Sequence, residues 1–170
     1  DLEALEQYHE GLICCSACLG GSLAVALLAG KQEEAEKIAM WHKNLFGEDY
    51  YLELQANHLK EQALVNQKLV ELSRKLKIPL VITNDSHYLK KEDAYNHEVL
   101  LCVQTGKKMT DLDRMRFETD DFYIKSPTEI KEFVPNLPEA MENTVKIAEK
   151  CNVEFEFGHT ILPNYDVPEG

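Results

Sequence analysis

Three short apolar runs, each leading into a segment of helical period, are the feature that most restricts what this chain can fold into. "GLICCSAC" (11–18), "YYLELQ" (50–55) and "PLVIT" (79–83) read as strands with buried faces. The first leads past Gly20 and Gly21 into "SLAVALLA" and then "QEEAEKIAMWHKNLF". There Ala35, Ile38, Ala39, His42 and Leu45 fall on one stripe, and Glu33 and Glu34 sit in the first turn. The second precedes a long amphipathic helix with Val65, Leu69, Leu72 and Leu76 at helical spacing. The third precedes "KEDAYNHEVLLCVQTG", a helix ended by Gly106. Strand–helix alternation of this kind predicts an α/β fold of parallel strands joined by right-handed crossovers.

Outside this alternation the pattern changes. Leu2, Leu5 and Tyr8 mark the end of a helix before Gly11. Beyond Gly106, "KKMTDLDRMRFETDDFYIKS" is polar and irregular, with only "FYIKS" resembling a strand. "SPTEIKEFV" and "LPEAMENTVKIAEKC" succeed it as helices, the first with Pro at its start. The tail "EFGHTILPNYDVPEG" reads as a connector, and a boundary near 107 divides the chain into 1–106 and 107–170.

Composition narrows the functional classes. Hydrophobic residues are 44% of the 170, enough for a packed core. A formal net charge of −12 repels phosphate backbones, so this chain is a poor candidate for gripping nucleic acid by itself. No apolar run approaches the roughly 20 residues of a membrane span. The acidic opening "DLEALEQYHEG" does not read as a secretory leader. The 5 cysteines, an odd count at uneven spacing, predict reduced thiols and a cytoplasmic location.

In parallel α/β folds, functional groups gather where the strands end. The first strand here ends at Cys18, the second is followed by His58, and the third delivers Asp85 and His87. Asp85 and His87, two positions apart on an extended strand, would face one target. Each residue also has an ordinary use: Cys18 as a small buried hydrophobe, His58 as a helix-start or loop histidine, Asp85 as a turn cap. Together, a thiolate, a carboxylate and imidazoles suit Zn²⁺, or Mn²⁺ with more oxygen ligands, and such ions activate water and clamp phosphoryl oxygens. Four candidates from three strands do not complete a two- or three-metal site. The "CSAC" pair Cys15 and Cys18 lacks a second cysteine pair, which disfavours a zinc or redox motif.

Six ordered blocks carry a further signal: "GLICCSACLGGSLAVALL", "YYLELQANHLKEQALVNQKLVELS", "PLVITNDSHYL", "DAYNHEVLLCVQTGKKMTD", "RMRFETDDFYIKSPTEI" and "AMENTVKIAEKC". In this order they resemble the bacterial DNA polymerase III alpha-subunit family, the C-family replicative polymerases. The match lies in the second half of that family's N-terminal PHP (polymerase and histidinol phosphatase) domain and the start of its polymerase region. The resemblance implies part of a distorted (β/α)7 barrel, followed by a mostly helical segment. It also implies a metal site in which Asp85 and His87 form the Asp-x-His motif and Cys18 the cysteine ligand. Ala17 stands where the family's "SGCLGG"-like block has Gly, and His58 lies in the block corresponding to "ELQxH", near the site.

The resemblance further implies that the chain is a piece of a replicative DNA polymerase, without catalytic residues of its own for nucleotide addition. The piece is expected to carry part of a Zn²⁺ or Mn²⁺ site linked to phosphoesterase or 3′–5′ exonuclease chemistry, while Mg²⁺ serves the absent polymerase site. DNA and other replisome subunits are expected to be reached through the parent protein, with no membrane involved. Unpaired sheet edges predict self-association of the piece. The alternatives are a free-standing PHP-type phosphatase and a non-catalytic scaffold module. Arg114 and Arg116, the only small basic cluster near the boundary, read as salt-bridging residues.

Overall fold

The computed structural model describes residues 2–163. The parts of the connector beyond 163 lie outside the described residues. Among the described residues, seven α-helices and three strands run in the order α1 (Leu2–Tyr8), β1 (Cys14–Cys15), α2 (Ser22–Leu28), α3 (Gln32–Phe46), β2 (Tyr50–Gln55), α4 (Lys60–Leu76), β3 (Leu80–Thr83), α5 (Ala94–Thr105), α6 (Pro127–Phe133) and α7 (Pro138–Lys150). The sheet is parallel, in the order β1-β2-β3. The α/β class and the parallel sheet are therefore as the alternation of periods predicts.

The core forms where the two periods meet. Leu52 and Leu54 of β2 and Leu80 and Ile82 of β3 pack with Leu23 and Leu27, Ala35 and Ala39, and Val65, Leu69 and Leu72. These helical residues are the apolar stripes of α2, α3 and α4, each almost wholly buried. His42 keeps to its stripe: its Nδ1 lies 2.9 Å from Ile38 O and its ring stacks on Tyr50 at 5.2 Å. Ile130, Val134 and Ala140 belong to the same core, so packing continues across position 107.

Two strand expectations need correction. The run 11–18 pairs only at Cys14 and Cys15, because Ala17 adopts a left-handed φ of 63° and turns the chain out of the sheet. Ser16 prolongs the contact, its N–H donating to Tyr51 O at 3.0 Å and its Oγ accepting from Glu53 N at 2.8 Å. "FYIKS" forms no strand. It makes one isolated parallel bridge, Tyr88 with Tyr123, and Phe122 O, Ile124 N–H and Lys125 N–H bond to the loop after β3.

The exposed-edge expectation also changes. Leu52 N–H donates to Pro79 O and Ala56 N–H to Thr83 O, both at 2.9 Å, so alternate carbonyls of β3 face β2. Leu80 O faces the other way, and Asn143 of α7 donates to it at 2.7 Å from a buried position. The edge of β3 is thus met by the chain's own helix. The ground for expecting self-association is confined to the β1 side.

Helix α6 starts on a capping box in which Ser126 and Glu129 satisfy each other's backbone N–H groups. Tyr123 OH donates to the Glu129 carboxylate at 2.5 Å. That bond, with those from Ser126, pulls the Glu129 carboxyl down to about 2, and the same carboxylate pushes the Tyr123 phenol up to about 12. The stabilisation from Glu129 is complete above the ordinary carboxylate range and is lost as pH falls through about 2. Seen from the phenol, it is complete below the ordinary tyrosine range and lost as pH rises through about 12. A carboxyl-detected NMR titration should therefore place Glu129 near 2, and Tyr123→Phe should move it upward. An ordinary carboxylate midpoint in the wild-type chain would reject this arrangement.

Candidate metal centre

The carboxyl ends of the three strands open side by side. After β1, the turn Ser16–Gly21 brings Cys18 round, held by Gly21 N–H donating to Cys18 O at 2.9 Å. A Cβ at Gly21 would lie 2.9 Å from Ser16 O and 3.1 Å from Cys18 O, so only glycine allows so tight a return. After β3, Asp85 takes a left-handed φ of 54°, which a short polar side chain tolerates. The strand has already ended at Thr83, so Asp85 and His87 are aligned by a turn and not by β periodicity.

The outcome for the two residues is nevertheless a shared site. Cys18, Asp85 and His87 line one cavity of about 460 Å³. His87 Nδ1 lies 2.9 Å from Asp85 O and 3.9 Å from Asp85 Oδ1. A carbonyl oxygen only accepts, so Nδ1 carries a proton, and in the neutral ring Nε2 keeps the lone pair that a metal ligand requires. His87 N–H donates to Phe122 O at 2.7 Å, and its ring meets those of Phe117 and Phe122 edge-on at 4.9 and 5.3 Å. His97 lies 5.8 Å from His87, and its pKa is lowered by burial and then by that neighbour.

His58 is placed apart from these three. It faces the adjoining cavity of about 540 Å³, with its ring 4.8 Å from Phe133. Its Nδ1 pairs with the buried carboxylate of Asp121. Asn57 lines both cavities.

The donor types fit Zn²⁺ or Mn²⁺, but their number does not complete a site. Among the described residues, no three His, Cys, Asp or Glu side chains form a group that could hold a metal ion. In the "CSAC" pair, burial, then Glu53 and Cys14, push the Cys15 thiol up to about 11, away from the range of a reactive thiolate.

The structure adds residues that the sequence did not single out. Asp121 anchors His58, and Phe122 anchors His87. Lys125, buried between them, donates from Nζ to Asp121 O and stands 4.5 Å over the Tyr123 ring; burial lowers its pKa, partly countered by Asp121 and Glu129. The one available signal was the acidic–aromatic run "TDDFY" at 119–123. Of the two boundary arginines, Arg114 makes the expected salt bridge, to Glu98 at 2.8 Å. Arg116 instead lines the Cys18 cavity.

Residues 1–57 match the PHP domain family. Over nearly its whole length the chain is related to the N-terminal region of DNA polymerase III alpha subunits. It is 48% identical over 169 residues to the DNA polymerase III subunit alpha of Borreliella burgdorferi, covering 99% of this chain and 15% of that protein. The corresponding protein of Treponema pallidum is 44% identical over 169 residues, covering 99% and 14%. That of Campylobacter jejuni is 41% identical over 171 residues, covering 95% and 14%. The chain thus spans about a seventh of the length of these relatives.

The turn that presents Cys18 yields a paired prediction. Ala17 is exposed at a φ of 63°, so Ala17→Gly should stabilise the chain by about 1 kcal/mol. Gly21→Ala should destabilise it by roughly 1–3 kcal/mol, because the atoms opposed to the new methyl are backbone. Denaturant unfolding checks both signs; a neutral Gly21→Ala would show that the turn has room to spare.

Proposed function

We propose that this chain is a segment of the alpha subunit of a bacterial replicative DNA polymerase, and that its strand-end cavity contributes part of the PHP metal site. In this reading residues 1–106 supply the later portion of a (β/α)7 barrel, and 107–170 lead from it toward the polymerase region. Cys18, Asp85 and His87 donate to Zn²⁺ or Mn²⁺, while His58 lies in the adjoining cavity. Nucleotide addition, with its Mg²⁺, resides in other parts of the parent, as do the surfaces that meet DNA and other replisome subunits. The bound ion would supply activated water and a clamp on phosphoryl oxygen for phosphoesterase or 3′–5′ exonuclease chemistry.

The observation that carries the reading is that Cys18, Asp85 and His87 line one cavity, with His87 Nδ1 turned to Asp85 O. The acidic balance supports delegation of DNA contacts to other segments. A cytoplasmic site of action is consistent with the absence, among the described residues, of any helix long and apolar enough to cross a membrane. The length of the relatives argues against a free-standing phosphatase.

Metal analysis of the full-length parent tests the assignment. Asp85→Asn and His87→Ala should each weaken Zn²⁺ or Mn²⁺ binding by at least about tenfold. Equal occupancy in wild type and both variants would remove the site.

A further inference from the structure

Helix α7 is closed by Cys151, whose N–H donates to Ile147 O and Ala148 O, and by Asn152, which bonds back to Glu149 O. The next five residues, "VEFEF" (153–157), alternate apolar and acidic, the pattern of a strand with one buried face. The rings of Phe155 and Phe157 lie 6.3 Å apart. Val153, Phe155 and Phe157 are nevertheless 72%, 76% and 91% exposed. Among the described residues no strand pairs with this stretch, so its two edges and its apolar face are uncovered. Lys150, the last residue of α7, donates to Asp49 Oδ1 at 2.7 Å, and Asp49 immediately precedes β2. The stretch therefore departs at the amino ends of the strands, away from the carboxyl-end cavity of Cys18, Asp85 and His87.

A second copy of the chain is a poor cover for it. Residues directly opposite in a ladder point to the same face, so self-pairing sets Glu against Glu or an apolar residue against Glu in every register. The chain's own β1 edge is 2 residues long, too short to take this strand. The relatives from Borreliella burgdorferi and Treponema pallidum match 99% of this chain over only 15% and 14% of their own length, so most of the parent lies outside it. We propose that 153–157 is a docking strand that adds to a sheet edge elsewhere in the parent protein. That edge carries Lys or Arg opposite Glu154 and Glu156, and apolar side chains opposite Val153, Phe155 and Phe157. Main-chain ladder bonds hold the strand, and the cross-strand charge pairs set its register. The inference rests on the reading of the chain as a segment of a longer subunit and is independent of the metal assignment.

Hydrogen–deuterium exchange of this 170-residue chain and of the full-length parent tests it. In the chain the amides of 153–157 should exchange at the rate of an open peptide. In the parent every second one should slow by at least about tenfold, as pairing along one edge requires. Phe155→Asp should abolish that protection in the parent and leave the melting temperature of the chain unchanged, because the ring is exposed there. Glu154→Lys combined with Glu156→Lys should also abolish it, through charge alone, and gives a second reading if Phe155→Asp unfolds the parent. A longer parent in which 153–157 exchanges as fast as in the chain would overturn this inference alone. A parent of no more than 170 residues by mass would overturn the segment reading together with it. Protection in the chain that grows with its concentration would assign the stretch to a second copy; protection of the parent only on adding another protein would assign it to that protein. Either result overturns the inference, as does a lower melting temperature of the chain with Phe155→Asp, which would mean that the chain covers its own ring.

Discussion

The parallel register of β2 and β3 is the constraint on which the rest of the molecule depends. Leu52 lies opposite Leu80 and Gln55 opposite Thr83, so the two strands finish level. The residues that come next, Asn57 and His58 on one side and Asn84 to His87 on the other, emerge together because of that alignment. Slipping the register by one residue would exchange the faces of the shorter strand. Leu80 and Ile82 would leave the helical stripes of α2 and α4, and Asp85 would leave the cavity of Cys18. Burial of four large aliphatic side chains on one face is therefore also what levels the strand ends for chemistry.

A second constraint closes the site from a distance in sequence. The segment around Asp121–Lys125 returns to the loop after β3, with Phe122 O accepting from both His87 N at 2.7 Å and Tyr88 N at 3.2 Å, and Lys125 N–H donating to Asn84 Oδ1 at 3.0 Å. Burying the Lys125 ammonium is costly, as its lowered pKa reflects. The cost is offset by the Asp121 carbonyl, the Tyr123 ring and nearby carboxylates. The polar stretch beyond Gly106 is in this sense part of the strand-end wall, and the core across position 107 gives it a rigid backing.

Legibility in the sequence tracked the range of the interaction. Helices α3 and α4 and strands β2 and β3 were readable because their periods are local and their caps adjacent. Cys18, Asp85 and His87 were readable from position alone, although a left-handed turn at Asp85, not the i, i+2 geometry of a strand, aims the last two. The shortness of β1 was hidden because an alanine, not a glycine, occupies the left-handed position at 17. The pairing of His58 with Asp121 spans 63 residues, and no spacing rule reaches that far.

These long-range anchors bear on how the site works. A metal-ligating imidazole needs one nitrogen bare and its ring held still, and the element that does this is the group bonded to the other nitrogen. Here Asp85 O serves His87 and the Asp121 carboxylate serves His58, both from within this stretch of chain. The neutral His87 ring is thus turned by the fold so that Nδ1 faces a carbonyl. Had the rings been free, each would favour the Nε2-protonated form or rotate, and binding would have to order them first. With that ordering already achieved by β3, its turn and the Phe122 clamp, the remaining requirement is donor number, which residues outside this chain would supply. In the proposed reading, orientation of the His87 ring is local to this fold and further donors would come from elsewhere in the parent protein.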